Sequence, residues 1–550
     1  MTNSGLKTWK MAVRLAKESY TKEQCIKMDK IEQAEGIYIL PLPFIEGGFY
    51  FAGKAFASPP KWQTFFDGYM DLPQLTNRGA VCVLIIPVKD RLMFITFGPA
   101  QSFLNIDSFE RDFGMKVTLN SVNDKELVSI DASSTDEQNI KRKIHTSRKS
   151  DINAFSINTQ KDILKGVAGN PEDRSFASLV AGSDTLFFYS KISPDDILDK
   201  CEKILEYYNN NKYQEKFKWV DNVRLVKDKQ LIEQLDNNLE AALILFQRNY
   251  QSEHFDYPDI FIAIPEVSDY EQITGYSFSG FGKRPIDEVT PSLELADYMN
   301  LLGDDPISLE RVRKNKVGKL IDGHDKFIDQ WSVYQCLVFN TEVNEKSYIL
   351  SEGDWYQVDD SFSEEINTFF NGFLAMTDPN NFPWLPDAKK TDNETTYNSN
   401  LENNLPNELV CFDKKDKEVK PDNWNSSVEP CDLYSSSKDF IHVKDYKSSS
   451  TLSHLFMQGY VSARAFMRDR NFRDNIKNYI NATKPGIAAT IPDSQINTSD
   501  YRIVFAILRK PHKEGRFDLP FFSKVSLKST VEQLTDLNYQ TCLLWIKKII

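Results

Sequence analysis

Residues 429–466 read EPCDLYSSSKDFIHVKDYKSSSTLSHLFMQGYVSARAF. Two short apolar runs, Cys431 to Tyr434 and Phe440 to Tyr446, flank a polar Ser/Lys/Asp segment, the pattern of two strands joined by a turn. The serine run that follows leads into Leu452 to Met467. There Leu452, Leu455, Phe456, Gly459, Ala463 and Phe466 fall on one face at helical spacing, which predicts a helix covering the sheet. Strand alternation places His442 and Lys444 on one face, and a short turn brings Asp432 alongside them. A carboxylate, a base and a cation are therefore expected to meet. In phosphodiester cleavage a carboxylate holds a divalent cation, the metal activates water, and a lysine stabilises charge growing on phosphate.

Outward from this stretch, Glu408 to Phe412 reads as a preceding strand and Tyr501 to Leu508 as a following one. The order strand, acidic strand, apolar strand ending in lysine, then helix resembles the PD-(D/E)xK restriction-endonuclease core, especially its Mrr-like branch. The resemblance implies a carboxyl-terminal αβββαβ module and a Mg²⁺ or Mn²⁺ cofactor. It implies catalytic roles for Asp432, His442, Lys444 and Gln458, with Glu394 of NETTYN as the acidic residue on the first helix. Asp432, assisted by Glu429 or Glu394, would hold the metal. One departure stands out: His442 occupies the place of an acidic residue or glutamine, and Mg²⁺ prefers oxygen ligands. Either Glu429 or Asp413 supplies the missing carboxylate, or His442 acts as general base beside a softer metal such as manganese. Restoring Glu at position 442 is expected to separate a missing ligand from a remodelled binding site. The plain alternative is an Asp432–Lys444 ion pair with a structurally hydrogen-bonded His442.

The 550 residues carry a formal charge of −13, which repels polyanions at long range, so any nucleic-acid contact falls to local basic surfaces. Lys141, Arg142, Lys143, Arg148 and Lys149 in NIKRKIHTSRK form the densest basic cluster, read as a solvated loop or helix end or as a phosphate-facing patch. Between residues 438 and 477 eight lysines and arginines face four aspartates. Nucleic acid, DNA in the first instance, is placed there, on Lys447, Ser448, Ser449 and Arg464. The serines either bind phosphate at the helix start or cap the helix.

The length suggests about three to four domains. The fold class is mixed α/β and multidomain: an amino-terminal mixed-sheet region over 1–220, a middle α/β region over 221–385 and the carboxyl-terminal module over 386–550. The last boundary follows the Asn/Asp/Pro-rich shift that begins near Asp378. Val81 to Val88 with Leu92 to Phe97 reads as a hairpin, Trp62 to Met70 and Ile106 to Phe113 as helices, and Asp259 to Val267 as a strand. Trp331 to Val358 reads as a meander followed by a helix from Ser361. Helices over Ile197 to Tyr208 and Gln230 to Phe246 are expected to pack on a common core. Trp355, Tyr356, Phe369 and Phe370 offer either stacking surfaces or core. Seven scattered cysteines without a CxxC pair argue against disulfides and structural zinc. With no apolar run of membrane length and no secretory pattern, a cytoplasmic location is expected. Gly280 to Lys283 lacks P-loop spacing, and the six histidines hold no HExxH pair.

A broader resemblance spans almost the whole chain. PPKW at Pro59 to Trp62, ITFG at Ile95 to Gly98, ERDFG at Glu110 to Gly114, GSDTL at Gly182 to Leu186, WSVYQCLVF at Trp331 to Phe339, and HVKDYKSSSTLSHLFMQG at His442 to Gly459 look like those of a sporadically distributed bacterial family of unknown function. That family is associated with mobile and antiphage defence loci. The resemblance implies a defence context, with a partner protein or phage component. Three readings stay open: a metal-dependent nuclease, a noncatalytic nucleic-acid-binding or phage-sensing subunit on a degenerate nuclease fold, and a structural subunit that acts only in a multiprotein complex.

Overall fold

The computed structural model describes residues 7–34, 37–54, 79–134, 141–150, 155, 157, 159, 162–251, 260–265, 273–281, 293–321, 328–376, 382, 385–389, 391–412, 419–422, 427–446, 449–493, 495–509 and 518–549. The expected helix Trp62 to Met70, the PPKW motif and Asp413 lie outside them. The chain divides into two compact units, Met1–Ser133 with Lys141–Val220, and a second that holds Asp221–Ile550. Among the described residues, no helix is long and apolar enough to cross a membrane.

The first unit is built on a ten-stranded sheet in the order Leu40–Pro41, Phe49–Lys54, Ala80–Val88, Arg91–Phe97, Thr8–Leu15, Leu186–Lys191, Leu179–Gly182, Asp162–Pro171, Val122–Ser134, Lys141–Ser150. The expected hairpin is present, with Val88 opposite Arg91. Helices Phe113–Ser121 and Ile197–Asn209 cover one face. The second buries Ile197, Cys201, Ile204, Leu205 and Tyr208, the i, i+4, i+7 stripe that its sequence carries.

Three expectations change here. Ile106 to Phe113 is not a helix: only Ile106–Ser108 turns, and the α-helix begins at Phe113. The intervening backbone is captured by the neighbouring strand, where Glu110 N donates to Leu15 O at 2.8 Å. The basic cluster from Lys141 onward is neither loop nor helix end, because Lys141–Ser150 forms the edge strand of the sheet. Finally, Ile197–Asn209 and Lys229–Asn249 do not share a core. The first packs in the ten-stranded unit, the second with Ile260, Tyr298 and Trp355 in the other.

In the second unit a five-stranded antiparallel sheet orders Val223–Leu225, Asp354–Val358, Lys346–Ser351, Leu337–Val343 and Ile260–Ile262, so the expected meander is present. A three-stranded sheet, Ile273–Ser279, Lys316–Ile321 and Ile328–Ser332, accompanies it. Beyond lie β1 (Ala388–Lys389), α1 (Glu394–Asn404), β2 (Leu409–Cys411), β3 (Leu433–Ser435), β4 (Asp439–Asp445), α2 (Ser449–Arg468), α3 (Arg470–Thr483), β5 (Arg502–Arg509), α4 (Phe521–Asp536) and β6 (Gln540–Ile549). Their sheet runs β1-β6-β5-β4-β3-β2. Strand β3 is antiparallel to both neighbours, whereas β4, β5 and β6 are mutually parallel.

The parallel strands read as continuous apolar runs, as strands buried on both faces must. Ile441, Val443, Val504 and Ala506 pack with Tyr397 and Leu401 of α1, while Phe440, Ile503 and Phe505 pack with Leu455, Phe456 and Phe466 of α2. Within this unit α4 also leans on the helix Asp360–Met376. Lys528 reaches Glu365 at 2.8 Å, Lys524 reaches Asn367 at 2.9 Å, and the rings of Phe362 and Phe521 meet edge to face.

Candidate functional site

Strand β3 is only three residues long, so β4 outruns its partner. Leu433 pairs with Ile441, and Asp432 N donates to Ile441 O at 3.0 Å. Beyond that point the amides on this edge of β4 belong to Val443 and Asp445, roughly 7 Å apart along the strand. Two carboxylates take the place of the missing carbonyls. Asp432 Oδ2 accepts from Val443 N at 2.7 Å, and Glu394 Oε1 accepts from Asp445 N at 3.0 Å. A buried amide needs an acceptor, which explains why acidic side chains line this edge.

Glu394 is the first residue of α1, following Asn393, whose side chain caps the helix by accepting from Thr396 N at 2.9 Å. The positive end of the helix dipole favours a carboxylate there. Lys444 Nζ lies 3.1 Å from each Glu394 oxygen. Alternation places Lys444 on the α2 face of β4, and its side chain leans over the open edge to reach α1. Next along the strand, Asp445 Oδ1 pairs with Lys548 Nζ of β6 at 2.7 Å, with both side chains largely buried. Lys548 escaped the sequence reading because only the parallel order β4-β5-β6 brings the chain's last strand to this end of the sheet. Its one signal was a pair of lysines, Lys547 and Lys548, inside an apolar strand.

Asp432, Glu394 and Lys444 thus gather at one edge, and His442 does not join them. It is 2% exposed, with Nε2 3.4 Å from Ser462 Oγ and its ring 6.2 Å from Phe505. Burial pushes its pKa down to about 3, so the ring is neutral at ordinary pH. A side chain sealed beneath α2 has no water to activate. Glu429 is half-buried ahead of β3, and Gln458 is half-buried on α2. Among the described residues no three histidine, cysteine or acidic side chains converge as a metal-holding group. The hard-oxygen donors on hand are Asp432 and Glu394, which suit Mg²⁺ or Mn²⁺ in type.

The basic surface is smaller than the sequence count implies. Arg473 caps the carboxyl end of α2 through Phe466 O and Met467 O, and Lys477 pairs with Asp493, Lys438 with Asp500, and Arg470 with Asp474. Arg464 and Arg468, one helical turn apart on α2, stand exposed. Lys447 and Ser448 lie outside the described residues, as does the side chain of Ser449. In the edge strand, Arg142 is drawn to buried Asp162 at 2.7 Å while Lys143 is exposed, and the side chains of Lys141, Arg148 and Lys149 lie outside the described set. Trp355 and Phe370 are core, not stacking platforms: Trp355 Nε1 donates to buried Asp236 at 3.0 Å, and Phe370 sits in the carboxyl-terminal core. Tyr356 and Phe369 are half-buried.

The family described as a family of unknown function, DUF6119, matches residues 11–547. The chain belongs to the DUF6119 family. No curated protein and no solved structure matches it. In this DUF6119 chain the match spans both units, so the ten-stranded unit and the edge that carries Asp432, Glu394 and Lys444 belong to one family assembly of sequence.

Proposed function

We propose that the carboxyl-terminal module binds and cleaves nucleic acid, DNA in the first instance, as the effector of a cytoplasmic antiphage defence protein. The observation that carries this reading is the pair of carboxylates, Asp432 and Glu394, seated on successive edge amides of β4 with Lys444 beside them. The element order supports it: the run helix α1, strands β2 to β4, helix α2 and strand β5, within a six-stranded sheet, resembles the αβββαβ arrangement expected of a restriction-endonuclease core. Bound there, Mg²⁺ or Mn²⁺ would be held by Asp432 and Glu394 and would supply Lewis-acid activation of water and phosphate. Lys444 exchanges its Glu394 contact for a phosphate oxygen and steadies the charge that develops there. His442 has no place in the chemistry. It fixes α2 against β4 from within the core.

The second reading, a noncatalytic sensor or binding subunit, is favoured by one specific observation. A buried neutral histidine fills the position of the second acidic ligand, and Lys444 already neutralises Glu394. The two readings separate in one assay of wild type and Lys444→Ala on labelled duplex DNA, single-stranded DNA and RNA, with Mg²⁺, Mn²⁺ or EDTA. Metal-dependent cleavage by wild type that vanishes in the variant is expected. Binding without cleavage in any metal selects the sensor, and full cleavage by folded Lys444→Ala removes the assignment.

A further inference from the structure

Two motifs of the first unit, ERDFG and GSDTL, meet in the fold. Met115 N donates to Ser183 O at 2.7 Å. A Cβ on Gly182 would fall 1.8 Å from Gly114 O, and one on Gly114 would fall 2.2 Å from Thr185 O, so neither backbone leaves room for a side chain. Arg111 then reaches Asp184 at 3.0 Å. The strand Thr8–Leu15 runs past both motifs, with Val13 opposite Leu186 and Ala16 bridged to Phe109. Continuing that second register sets Arg111 beside Arg14.

Arg14 is 8% exposed. Among the described residues its guanidinium makes neither a hydrogen bond nor an ion pair, although it carries five donors. A largely buried charge without a partner is unfavourable, and here a second arginine adds repulsion. Burial and Arg111 both weaken the proton affinity of Arg14, and Asp184 offsets only part of this. Asp184, the anion that acts on Arg14, is already engaged by Arg111. A folded protein tolerates such a cluster when an anion completes it.

We propose that Arg14 and Arg111 form an anion subsite that takes the phosphate group of a small phosphorylated molecule, such as a nucleotide. Guanidinium groups bind phosphate oxygens in parallel pairs of hydrogen bonds, which matches the donors that stand idle on Arg14. The restriction to a small molecule follows from burial: a terminal phosphate reaches the end of a side chain whose residue is 8% exposed, and the backbone of a nucleic-acid duplex does not. This subsite belongs to the amino-terminal unit and is independent of the nuclease reading.

The test uses the full chain and inorganic phosphate, with melting temperature read at constant ionic strength against chloride. For wild type the melting temperature is expected to climb with the logarithm of phosphate concentration, because a ligand that binds only the folded state stabilises it. Arg14→Met and Arg111→Gln should each weaken this response by about tenfold or more. Without phosphate, Arg14→Met should be at least as stable as wild type, since it removes an unpaired buried charge. Should Arg14→Met fail to fold, Arg111→Gln carries the test at a half-exposed position, joined by Arg14→Lys, which keeps the charge and loses the fork. No phosphate response in wild type, or an equal response in the variants, overturns the subsite. A nucleoside monophosphate should displace phosphate. Displacement by an unphosphorylated duplex overturns the small-molecule restriction.

Discussion

Lys444 holds Glu394 symmetrically, its ammonium 3.1 Å from each carboxylate oxygen, while the same carboxylate accepts from the Asp445 amide. The two side chains are 23% and 29% exposed, so solvent screens the pair. Such contacts contribute about 0.2–1 kcal/mol. Lys444→Ala should therefore cost less than about 1 kcal/mol in urea unfolding. Glu394→Ala should cost about 1–3 kcal/mol, because the Asp445 amide also loses its acceptor. A double-mutant cycle isolates the pair. A Lys444→Ala protein that unfolds outright would assign the lysine to the fold and remove it from the chemistry.

His442 makes a prediction about pH. Its folded pKa is pushed down to about 3 by burial, whereas the unfolded chain titrates near about 6.5. Between these values the unfolded state binds more protons, so this residue makes stability fall on acidification, by up to about 1.4 kcal/mol per pH unit. Above about pH 6.5 it contributes no slope. His442→Gln cannot titrate, and its stability between pH 6 and 4 should fall less steeply than wild type by close to one proton. Equal slopes would mean that the ring reaches solvent. His442→Glu, expected from sequence to restore a metal ligand, should instead destabilise the protein by burying a carboxylate beneath α2, with no gain in metal-dependent cleavage.

The carboxyl-terminal module was legible because its signals are local. Leu452, Leu455, Phe456 and Phe466 mark the buried face of α2, and Asp432 and Lys444 each fall within a short apolar run. Alternation put His442 and Lys444 on one face, but alternation carries no depth, and only α2 decides that one is sealed while the other leans over an edge. Lys548 and Arg14 were illegible for a related reason. Each acquires its neighbours through strand order, which residue spacing does not encode. The loop or helix-end reading of 141–149 missed a strand because charged side chains mark a sheet edge as well as an exposed loop.

Asp236 tests the reassignment of Trp355. One carboxylate accepts from Tyr334 Oη at 2.7 Å, Trp355 Nε1 at 3.0 Å and Arg313 at 2.5 Å. Asp236→Ala leaves two buried donors unsatisfied at about 1–3 kcal/mol each and frees the arginine. A loss of about 3–5 kcal/mol is expected by chemical denaturation. Nucleic-acid affinity per folded molecule should not change. Loss of binding by a folded Asp236→Ala protein would return Trp355 to the list of stacking residues.

Gly459 reports on how tightly α2 is seated on β5, the strand beside the one that carries Lys444. A Cβ there would lie 2.5 Å from Phe505 Cε1, 2.8 Å from Cζ and 3.2 Å from Ile503 Cγ2. The phenyl ring has little room to yield, since Phe456 packs against it edge to face at 5.1 Å and His442 lies on its other flank at 6.2 Å. In an open helix Gly→Ala stabilises by about 1 kcal/mol, so the sign of the change separates a packed site from an open one. Overpacking costs about 1–3 kcal/mol and should win, giving Gly459→Ala a lower melting temperature. Phe505→Leu removes the obstructing ring edge. In that background Gly459→Ala should become neutral or stabilising, and a loss of the same size in both backgrounds would place the strain in the helix backbone and not in the contact with β5.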